Sequence, residues 1–391
     1  MNNPLSVVIG AGGTGGHIYP GLALADALRH RVPDAVISFV GTERGLETRL
    51  IPGAGYRLHT VDMIPFDRSL GAKRFTLPVA LLKSAGQCRA ILREQRAHVA
   101  VGMGGYPSAP VILGARLAGL PSLIHESNAV PGRANAFAAR LTPHVALAFE
   151  ASGAGLPAAS RPEVVGMPLS GPLAALDRDA QRADARRALG IPDGTRLLLV
   201  NGGSLGAARL TEAALGLAER WRWRDDVRLL IKTGPAAVDE ASARLRATGA
   251  DRIAAAVPYL DRIDQTYAAA DLVVCRAGSA TVAELATVGL PAVLVPYPHA
   301  PGDHQTHNAR TLTDIGAGVL LRDEDTTAVS LEAHVGPLLD DPGRLCAMAQ
   351  AAAAAGDGAH HRDAADRLAL RVLRLAGHPH AAHTTSLTSA Q

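Results

Sequence analysis

Two glycine-rich turns hold the residue types best suited to contact a phosphate group. The first follows an apolar run and reads Gly-Ala-Gly-Gly-Thr-Gly-Gly-His over residues 10–17. The second also follows an apolar run and reads Gly-Gly-Ser-Leu-Gly over residues 202–206. Glycine lets the backbone approach a ligand where a Cβ would collide, and the helix that follows presents free N–H groups and a positive dipole end. The pair predicts two nucleotide-type domains.

The first turn contains the spacing Gly10-x-Gly12-x-x-Gly15, a dinucleotide-binding fingerprint that is a weak signal by itself. Its usual companion is an acidic residue at the end of the second strand. Here that strand ends at 39–42 and the acid Glu43 comes late. The turn also lacks the Gly-Lys-Ser/Thr sequence of a Walker A loop. A purely structural turn and an NAD-dependent oxidoreductase remain open alternatives at this point.

His17 enters the helix directly behind the first turn. A lone histidine is more commonly a surface or capping residue than a base. Imidazole, however, titrates in the range useful for proton transfer, and this one lies at the mouth of a phosphate-type turn. We therefore treat His17 as the candidate catalytic base.

Further polar residues follow predicted strands. A third glycine turn reads Val-Gly-Met-Gly-Gly-Tyr-Pro over 101–107, and Ile-His-Glu-Ser-Asn occupies 124–128. In open α/β sheets the ligand crevice lies outside the carboxyl ends of the strands. We therefore expect these residues to face a ligand.

The second half of the chain has two comparable segments. Residues 275–284 read as strand, turn and helix, with the hydroxyls of Ser279 and Thr281 placed to cap the helix or contact phosphate. Glu284 lies in the early turns, where the helix dipole alone also favours an acid. The polar loop 296–308 has three histidines but no carboxylate or cysteine set typical of a metal site, so we expect no metal. Two Asp-x-Asp pairs, at 177–179 and 323–325, are interpreted as exposed surface.

Composition narrows the class of protein. The chain has 391 residues, 48% of them hydrophobic, and a net charge of +3, which is too small to indicate a nucleic-acid partner. No basic segment precedes an apolar stretch at the N-terminus, so we expect no secretory signal. The longest uncharged apolar stretch, 99–115, is broken by glycines and prolines, which argues against a membrane span. Cys88, Cys275 and Cys346 lack paired spacing and are expected to be reduced thiols of a cytosolic protein.

Strand-like runs alternate with helical patterns, which predicts an α/β fold with parallel sheets. The predicted strands are 5–10, 35–41, 98–102, 121–125 and 144–148, then 196–201, 227–233, 253–257, 271–275, 291–296 and 318–321. The predicted helices include 177–189, 338–354 and 361–376. The Gly-, Ala-, Ser- and Pro-rich stretch 150–172 is the candidate hinge, and 377–391 is expected to be a disordered tail.

One segment combines apolar and basic residues. Residues 70–82 include Phe75, Leu77, Val79, Leu81 and Leu82, with the basic residues Lys73, Arg74 and Lys83 beside them. Core packing explains such residues about as well as an interfacial patch whose basic rim meets anionic lipid headgroups. Both interpretations are kept.

Taken together, the motifs resemble the MurG family of bacterial N-acetylglucosaminyltransferases, within glycosyltransferase family 28. The resemblance covers nearly the whole chain in order, through the motifs at 12–17, 102–106, 125–128, 202–204, 275–284 and 303–305. It implies a GT-B architecture, two Rossmann-like domains with parallel sheets separated by a deep cleft. The domains would be 1–165 and 166–357, with a C-terminal helix at about 358–376 packing back on the first.

The resemblance also implies the reaction and the partners. The donor would be UDP-N-acetylglucosamine, and the acceptor the 4-hydroxyl of undecaprenyl-pyrophosphoryl N-acetylmuramoyl pentapeptide. The bond would form with inversion, in peptidoglycan synthesis, without a cofactor or metal. The enzyme would lie peripherally on the cytoplasmic face of the cell membrane, near other cell-wall and division proteins, with no nucleic-acid partner.

Site residues carry over by position in the motifs. His17 is the implied base. The implied donor-binding residues are Thr14, Gly15, Gly16, Asn128, Ser170, Ser204, Leu260, Ser279, Thr281, Glu284 and Gln305. The implied acceptor-side residues are Gly104, Gly105, Tyr106, His125 and Glu126.

Two positions depart from the family pattern. Leu205 replaces a glutamine that is frequent in the second turn, and Ser170 stands where the hinge motif usually has arginine. Arg161 is an alternative source of that charge. Three other functions therefore stay open: a sugar-nucleotide epimerase on the same scaffold, the oxidoreductase, and a scaffold protein without turnover.

Overall fold

The computed structural model of the chain describes residues 4–63, 77–203, 207–358 and 360–379. The chain divides into two compact units. One joins Met1–Ser170 to Ala359–Gln391, and the other is Gly171–Gly358. The division at Ser170 falls a few residues after the expected boundary at 165.

The first unit is built on a seven-stranded, all-parallel sheet with the order β3-β2-β1-β4-β5-β6-β7. Its strands are β1 (Ser6–Gly10), β2 (Val36–Gly41), β3 (Arg57–Thr60), β4 (Val99–Gly102), β5 (Ser122–Glu126), β6 (His144–Leu147) and β7 (Arg161–Val164). Its helices before the boundary are α1 (Gly15–Arg31), α2 (Glu47–Gly53), α3 (Leu77–Glu94), α4 (Ser108–Ala118) and α5 (Arg133–Ala138).

The second unit has a six-stranded parallel sheet with the order β10-β9-β8-β11-β12-β13. Its strands are β8 (Arg196–Asn201), β9 (Val227–Lys232), β10 (Ala254–Val257), β11 (Leu272–Cys275), β12 (Ala292–Leu294) and β13 (Gly318–Leu320). Its helices are α6 (Gly171–Ala174), α7 (Arg178–Ala188), α8 (Ala208–Trp221), α9 (Val238–Thr248), α10 (Ile263–Ala269), α11 (Ser279–Val288), α12 (His304–Thr313), α13 (Ala328–Leu339) and α14 (Pro342–Gly358).

The last helix, α15 (Ala364–Leu375), belongs to the first unit. Its apolar face buries Leu368, Ala369, Val372 and Leu373 in the same core cluster as the residues of β1. The Nε of Arg31 at the end of α1 lies 2.9 Å from the Asp366 carboxylate of α15. The chain thus returns to the first unit after completing the second.

The central strands are buried on both faces, because helices cover both sides of each parallel sheet. All five residues of β1 are buried, as are four consecutive residues of β8 from Leu197. This explains why these strands read as continuous apolar runs, and it confirms the predicted α/β fold with two parallel sheets.

The structure has two strands that were not predicted and divides one predicted helix. The edge strands β3 and β7 were missed, because Arg-Leu-His-Thr and Arg-Pro-Glu-Val are too polar to indicate a strand. The single helix predicted over 338–354 is wrong: α13 ends at Leu339 and α14 begins at Pro342. Proline is favoured at the first position of a helix, and Asp341 accepts a hydrogen bond from the backbone N–H of Arg344, so a new helix begins at Pro342.

In both sheets the strand order reverses beside the first strand of the unit. The reversal lies between β1 and β4 in one sheet and between β8 and β11 in the other. Ligands of open α/β sheets bind outside the carboxyl ends of strands at such a switch point. The two glycine turns of the sequence follow β1 and β8, so each lies at the switch point of its sheet.

Candidate active site

The first glycine turn is held by a buried carboxylate that the sequence analysis did not single out. Glu47, the first residue of α2, is fully buried. Its Oε2 accepts a hydrogen bond from the backbone N–H of Gly13 at 3.1 Å. Its Oε1 accepts from the backbone N–H and the hydroxyl of Thr42, at 3.1 and 2.7 Å. A Cβ on Gly12 would lie 2.7 Å from Oε1, so the turn needs glycine where the carboxylate approaches it.

The imidazole of His17 packs against the third glycine turn. The ring Nδ1 lies 3.3 Å from the hydroxyl of Thr14, the residue that precedes α1. Gly104 and Gly105 have φ of +94° and +72°. A Cβ on Gly104 would lie 2.7 Å from the His17 Cδ2, and one on Gly105 would lie 2.5 Å from the carbonyl oxygen of Gly12. The first and third turns therefore meet around His17, and the contact depends on glycine at both positions.

The end of β5 is organised by a second buried carboxylate. Glu126 is 1% exposed. It accepts hydrogen bonds from the backbone N–H of Asn128 at 2.9 Å, from the Asn128 amide at 3.2 Å, from the Gly132 N–H at 3.0 Å and from the Asn135 amide at 2.9 Å. Burial raises the pKa of Glu126, while these donors lower it. The carboxylate thus fixes the loop that carries Asn128.

Two buried histidines hold the segment that leaves the first unit. The Nε2 of His125 lies 2.9 Å from the carbonyl oxygen of Gly166, and the Nδ1 of His361 accepts the backbone N–H of Met167 at 2.9 Å. Burial lowers the pKa of each ring to about 4, so both are neutral at pH 7. His125 is fully buried and His361 is 1% exposed.

The two positions discussed for a missing arginine lie at different places. Ser170 is exposed and ends the first unit. Arg161 is the first residue of β7, at the amino end of a parallel strand. The first glycine turn follows the carboxyl end of β1, so Arg161 lies at the opposite end of the parallel strands from that turn.

In the second unit the turn after β8 contacts the end of β9. The Asn201 side chain accepts the Gly203 N–H at 3.0 Å, and the Lys232 ammonium donates to the Gly203 carbonyl oxygen at 2.5 Å. Ser204 and Leu205 lie outside the described residues, so their roles remain predictions.

The turn after β11 leads into α11 without a side-chain cap. Gly278, the residue before the helix, has extended backbone, and within the described part of the chain no side chain bonds to the first-turn N–H groups. Ser279 begins the helix and is 7% exposed. The Thr281 hydroxyl would lie 3.9 Å from a Cβ on Gly278, so it points back toward the helix start. N–H groups and two hydroxyls are therefore gathered at one helix end.

Glu284, one turn further along α11, is half-buried. Desolvation raises the pKa of its carboxyl to about 7, and a hydrogen bond from the buried Tyr267 hydroxyl at 3.0 Å opposes that shift. The group therefore titrates near neutral pH.

The loop after β12 is fixed by backbone contacts. The Gln305 Oε1 accepts the N–H of Tyr297 at 2.9 Å, which leaves the Gln305 amide as a hydrogen-bond donor. Arg276, after β11, donates to the carbonyl oxygens of Val295 and Pro296 and lies 2.6 Å from the Asp323 carboxylate. Leu260 follows the end of β10 and is partly exposed. Each predicted position of this unit that the structure describes lies on the loop or helix that follows the carboxyl end of a strand.

The apolar and basic segment is described only in part. Lys73 and Arg74 lie outside the described residues. Val79 and Leu82 of α3 are 71% and 60% exposed, while the Lys83 ammonium lies 2.8 Å from Asp62. Among the described residues, no helix is long and apolar enough to cross a bilayer. The same residues contain no group of three or more His, Cys, Asp or Glu placed to hold a metal ion.

Comparison with known families decides the assignment. The N-terminal domain of glycosyltransferase family 28 matches residues 7–147, and the C-terminal domain of the same family matches residues 197–368. The chain belongs to glycosyltransferase family 28. It is a glycosyltransferase, and the two matched ranges include both switch-point turns and extend into both sheets, with β7 outside them.

Two similar proteins from different organisms have the same name. A protein of Desulforudis audaxviator is 40% identical over 356 residues, covering 90% of this chain and 94% of its own length. A protein of Nocardia farcinica is 43% identical over 379 residues, covering 95% and 96%. Both are named UDP-N-acetylglucosamine–N-acetylmuramyl-(pentapeptide) pyrophosphoryl-undecaprenol N-acetylglucosamine transferase.

Solved structures agree with the family. The crystal structure of MurG from Acinetobacter baumannii matches with a TM-score of 0.74 and 29% identity, covering 95% of this chain and 100% of that one. A putative UDP-N-acetylglucosamine 2-epimerase from Listeria monocytogenes matches with a TM-score of 0.64 and 16% identity, covering 95% and 96%. The second likeness shows a shared fold alone.

Proposed function

We propose that the chain transfers N-acetylglucosamine from UDP-N-acetylglucosamine to the 4-hydroxyl of undecaprenyl-pyrophosphoryl N-acetylmuramoyl pentapeptide. The observation that carries the proposal is the name shared by relatives about 40% identical over nine-tenths of the chain or more. The reaction forms a β-1,4 bond with inversion at C1 of the sugar, and UDP leaves.

The leaving diphosphate needs positive electrostatic potential. The uncapped first turn of α11, with the Ser279 and Thr281 hydroxyls, supplies N–H and O–H donors for it. We assign Ser204 of the second turn, and Thr14, Gly15 and Gly16 of the first, to the same donor molecule. No cofactor is expected in this step.

The remaining donor contacts follow from the chemistry of each position. Glu284 accepts the ribose hydroxyls when its carboxyl is ionised, and the amide of Gln305 donates to sugar hydroxyls. Asn128, which Glu126 holds in place, contacts the N-acetylglucosamine. The backbone at Leu260 forms hydrogen bonds with the uracil base. Ser170 would contact the donor only through its hydroxyl.

His17 is the proposed base that takes the proton of the acceptor hydroxyl. Its ring is partly exposed and held between Thr14 and the third glycine turn, which suits proton transfer at a fixed position. Gly104, Gly105 and Tyr106, the last 39% exposed, form the proposed acceptor side. His125 and Glu126 are buried, so we assign them a positioning role instead of acceptor contact.

Because the proposed acceptor is a lipid, we propose that the enzyme binds peripherally to the cytoplasmic face of the membrane. The exposed Val79 and Leu82 of α3 support a peripheral contact there. Neutralising Lys73 and Arg74 should then weaken binding to anionic vesicles. Unchanged vesicle binding would discard the contact and leave the transferase proposal intact.

A transferase assay with a defined lipid acceptor and a panel of UDP-sugars tests the proposal. UDP release is expected only with UDP-N-acetylglucosamine and acceptor together. Isomerised donor without acceptor would indicate an epimerase, and no turnover with authentic acceptor would refute the proposal. His17→Ala should abolish transfer, whereas His30→Ala, at an exposed position on the same helix, should leave it unchanged.

A further inference from the structure

Lys232 is a buried cation beside the second glycine turn. It ends β9, in register with Asn201 at the end of β8. Its side chain is buried, with the residue 7% exposed, and its ammonium donates to the Gly203 carbonyl oxygen at 2.5 Å. The same nitrogen lies 5.5 Å from the centre of the Tyr259 ring. The ammonium is therefore held at the carboxyl edge of the sheet, next to the switch point.

The charge of Lys232 is not balanced by an acid in the described part of the chain. Among those residues no carboxylate lies within 4.0 Å of its nitrogen, which contacts one carbonyl oxygen and one aromatic ring face. An ammonium has three N–H donors, and burying it without a counter-charge is costly. Burial accordingly lowers the pKa of Lys232. An anion arriving at this turn would remove that cost.

We propose that Lys232 is a donor-binding residue whose ammonium, held at the Gly203 carbonyl oxygen, pairs with the diphosphate of the nucleotide sugar. The inference rests on the proposed function for the identity of the donor. It accounts for a feature specific to this chain, because Ser170 lacks the positive charge of the arginine usual at that position and Arg161 lies at the opposite end of the parallel strands from the first glycine turn. The competing role for Lys232 is structural, as a brace for the Gly203 carbonyl.

Two substitutions separate the charge from the hydrogen bond. Lys232→Gln removes the charge but keeps an N–H donor for the Gly203 carbonyl, whereas Lys232→Met removes both. Arg246→Met, at an exposed position of α9 in the same unit, is the control for loss of one positive charge. Circular dichroism and the melting temperature of each variant establish that it is folded.

The readout compares UDP with uridine, which lacks phosphates. Calorimetry for UDP and ligand-observed NMR for uridine should show that both Lys232 variants weaken UDP roughly tenfold, the worth of one charge-assisted hydrogen bond. Uridine binding should change less than about twofold, and Arg246→Met should bind UDP like the wild type.

Three outcomes would overturn the assignment of Lys232. They are loss of UDP affinity in Lys232→Met alone, equal losses for UDP and uridine, and unchanged UDP affinity in both variants. The first two indicate a brace for the turn. If the wild-type protein does not bind UDP, the proposed donor itself is refuted, which is a result distinct from these three.

Discussion

Replacing Glu47 by glutamine should disable the first glycine turn while leaving most of the chain intact. The carboxylate accepts three hydrogen bonds, two at Oε1 from Thr42 and one at Oε2 from the Gly13 N–H. A glutamine of the same shape has one acceptor oxygen and one NH₂ group. The orientation that keeps both bonds to Thr42 places the NH₂ against the Gly13 N–H. One buried donor then faces another donor at the start of the turn.

The magnitude follows from that single mismatch. An unsatisfied buried donor costs about 1–3 kcal/mol, so the free energy of unfolding should fall by roughly 2 kcal/mol. Relief comes from moving the Gly13 backbone, which carries Thr14 and His17 with it. A displacement of about 1 Å in a catalytic group costs about a hundredfold in rate, so kcat/KM for transfer should fall by that order.

The assay pairs urea unfolding with transferase kinetics, and hydrogen exchange of the peptide over residues 10–18 reports the turn directly. Glu43→Gln is the matched control, because Glu43 is exposed on the same connection and should change neither quantity. A Glu47→Gln enzyme with kcat/KM within twofold of wild type would refute the reasoning. So would an equal loss in Glu43→Gln.

Three further predictions concern other parts of the two units. Gly104→Ala should lower transfer strongly, because the new Cβ would lie 2.7 Å from the His17 ring and Gly104 has a φ of +94°. Gly86→Ala should leave transfer unchanged, because no atom of the described chain outside its own helix lies within 4 Å of its Cβ position. Equal activities of the two variants in a steady-state assay would contradict this prediction. Burial raises the pKa of Glu284 to about 7 from 4.5, so the native state holds a proton that the unfolded chain loses between these values. The free energy of unfolding should therefore fall as pH rises from 4.5 to 7, and UDP affinity should rise through pH 7. Glu284→Gln should flatten the pH dependence of both quantities. Unchanged pH dependence in Glu284→Gln would refute the assignment of Glu284 to the nucleotide. Burial lowers the pKa of His361 to about 4 from 6.5, so the unfolded chain binds more protons as pH falls from 6.5 to 4. Urea titrations should show a loss of about 3 kcal/mol across that window, reduced in His361→Asn, and parallel slopes for the two proteins would count against it.

Sequence patterns could predict the switch-point turns because two independent signals agreed there. Each turn follows a run of apolar residues buried on both faces, and each begins with glycines that break the run. Edge strands such as Arg161–Val164 carry no such signal, since they lie at the margin of the sheet and expose polar side chains. The turns at the switch points were therefore more predictable than the edge strands.

Residues that act through a neighbour were the hardest to predict. Glu47 lies at the start of a helix, where the helix dipole alone favours an acidic residue. The local sequence therefore gave no indication of its hydrogen bond with the Gly13 N–H. Lys232 ends an apolar strand and reads as a solvent-facing terminus, yet it is buried. Both contacts join segments that are distant in sequence, and only the sheet order brings them together.

The hydrogen bonds of three acids, Glu47, Glu126 and Glu284, separate structural from ligand-binding roles. Glu126 accepts four hydrogen bonds and Glu47 three, from backbone and side-chain donors of their own unit. A carboxylate so fully bonded has little acceptor capacity left for a substrate, and removing it would release a loop. Glu284 accepts a hydrogen bond from the Tyr267 hydroxyl, and desolvation raises the pKa of its carboxyl to about 7. Ribose hydroxyls would supply the donors that this carboxylate needs to stay ionised. The two acids that accept three or four hydrogen bonds from the protein therefore shape the turns of their unit, whereas Glu284 keeps acceptor capacity for the proposed contact with the nucleotide.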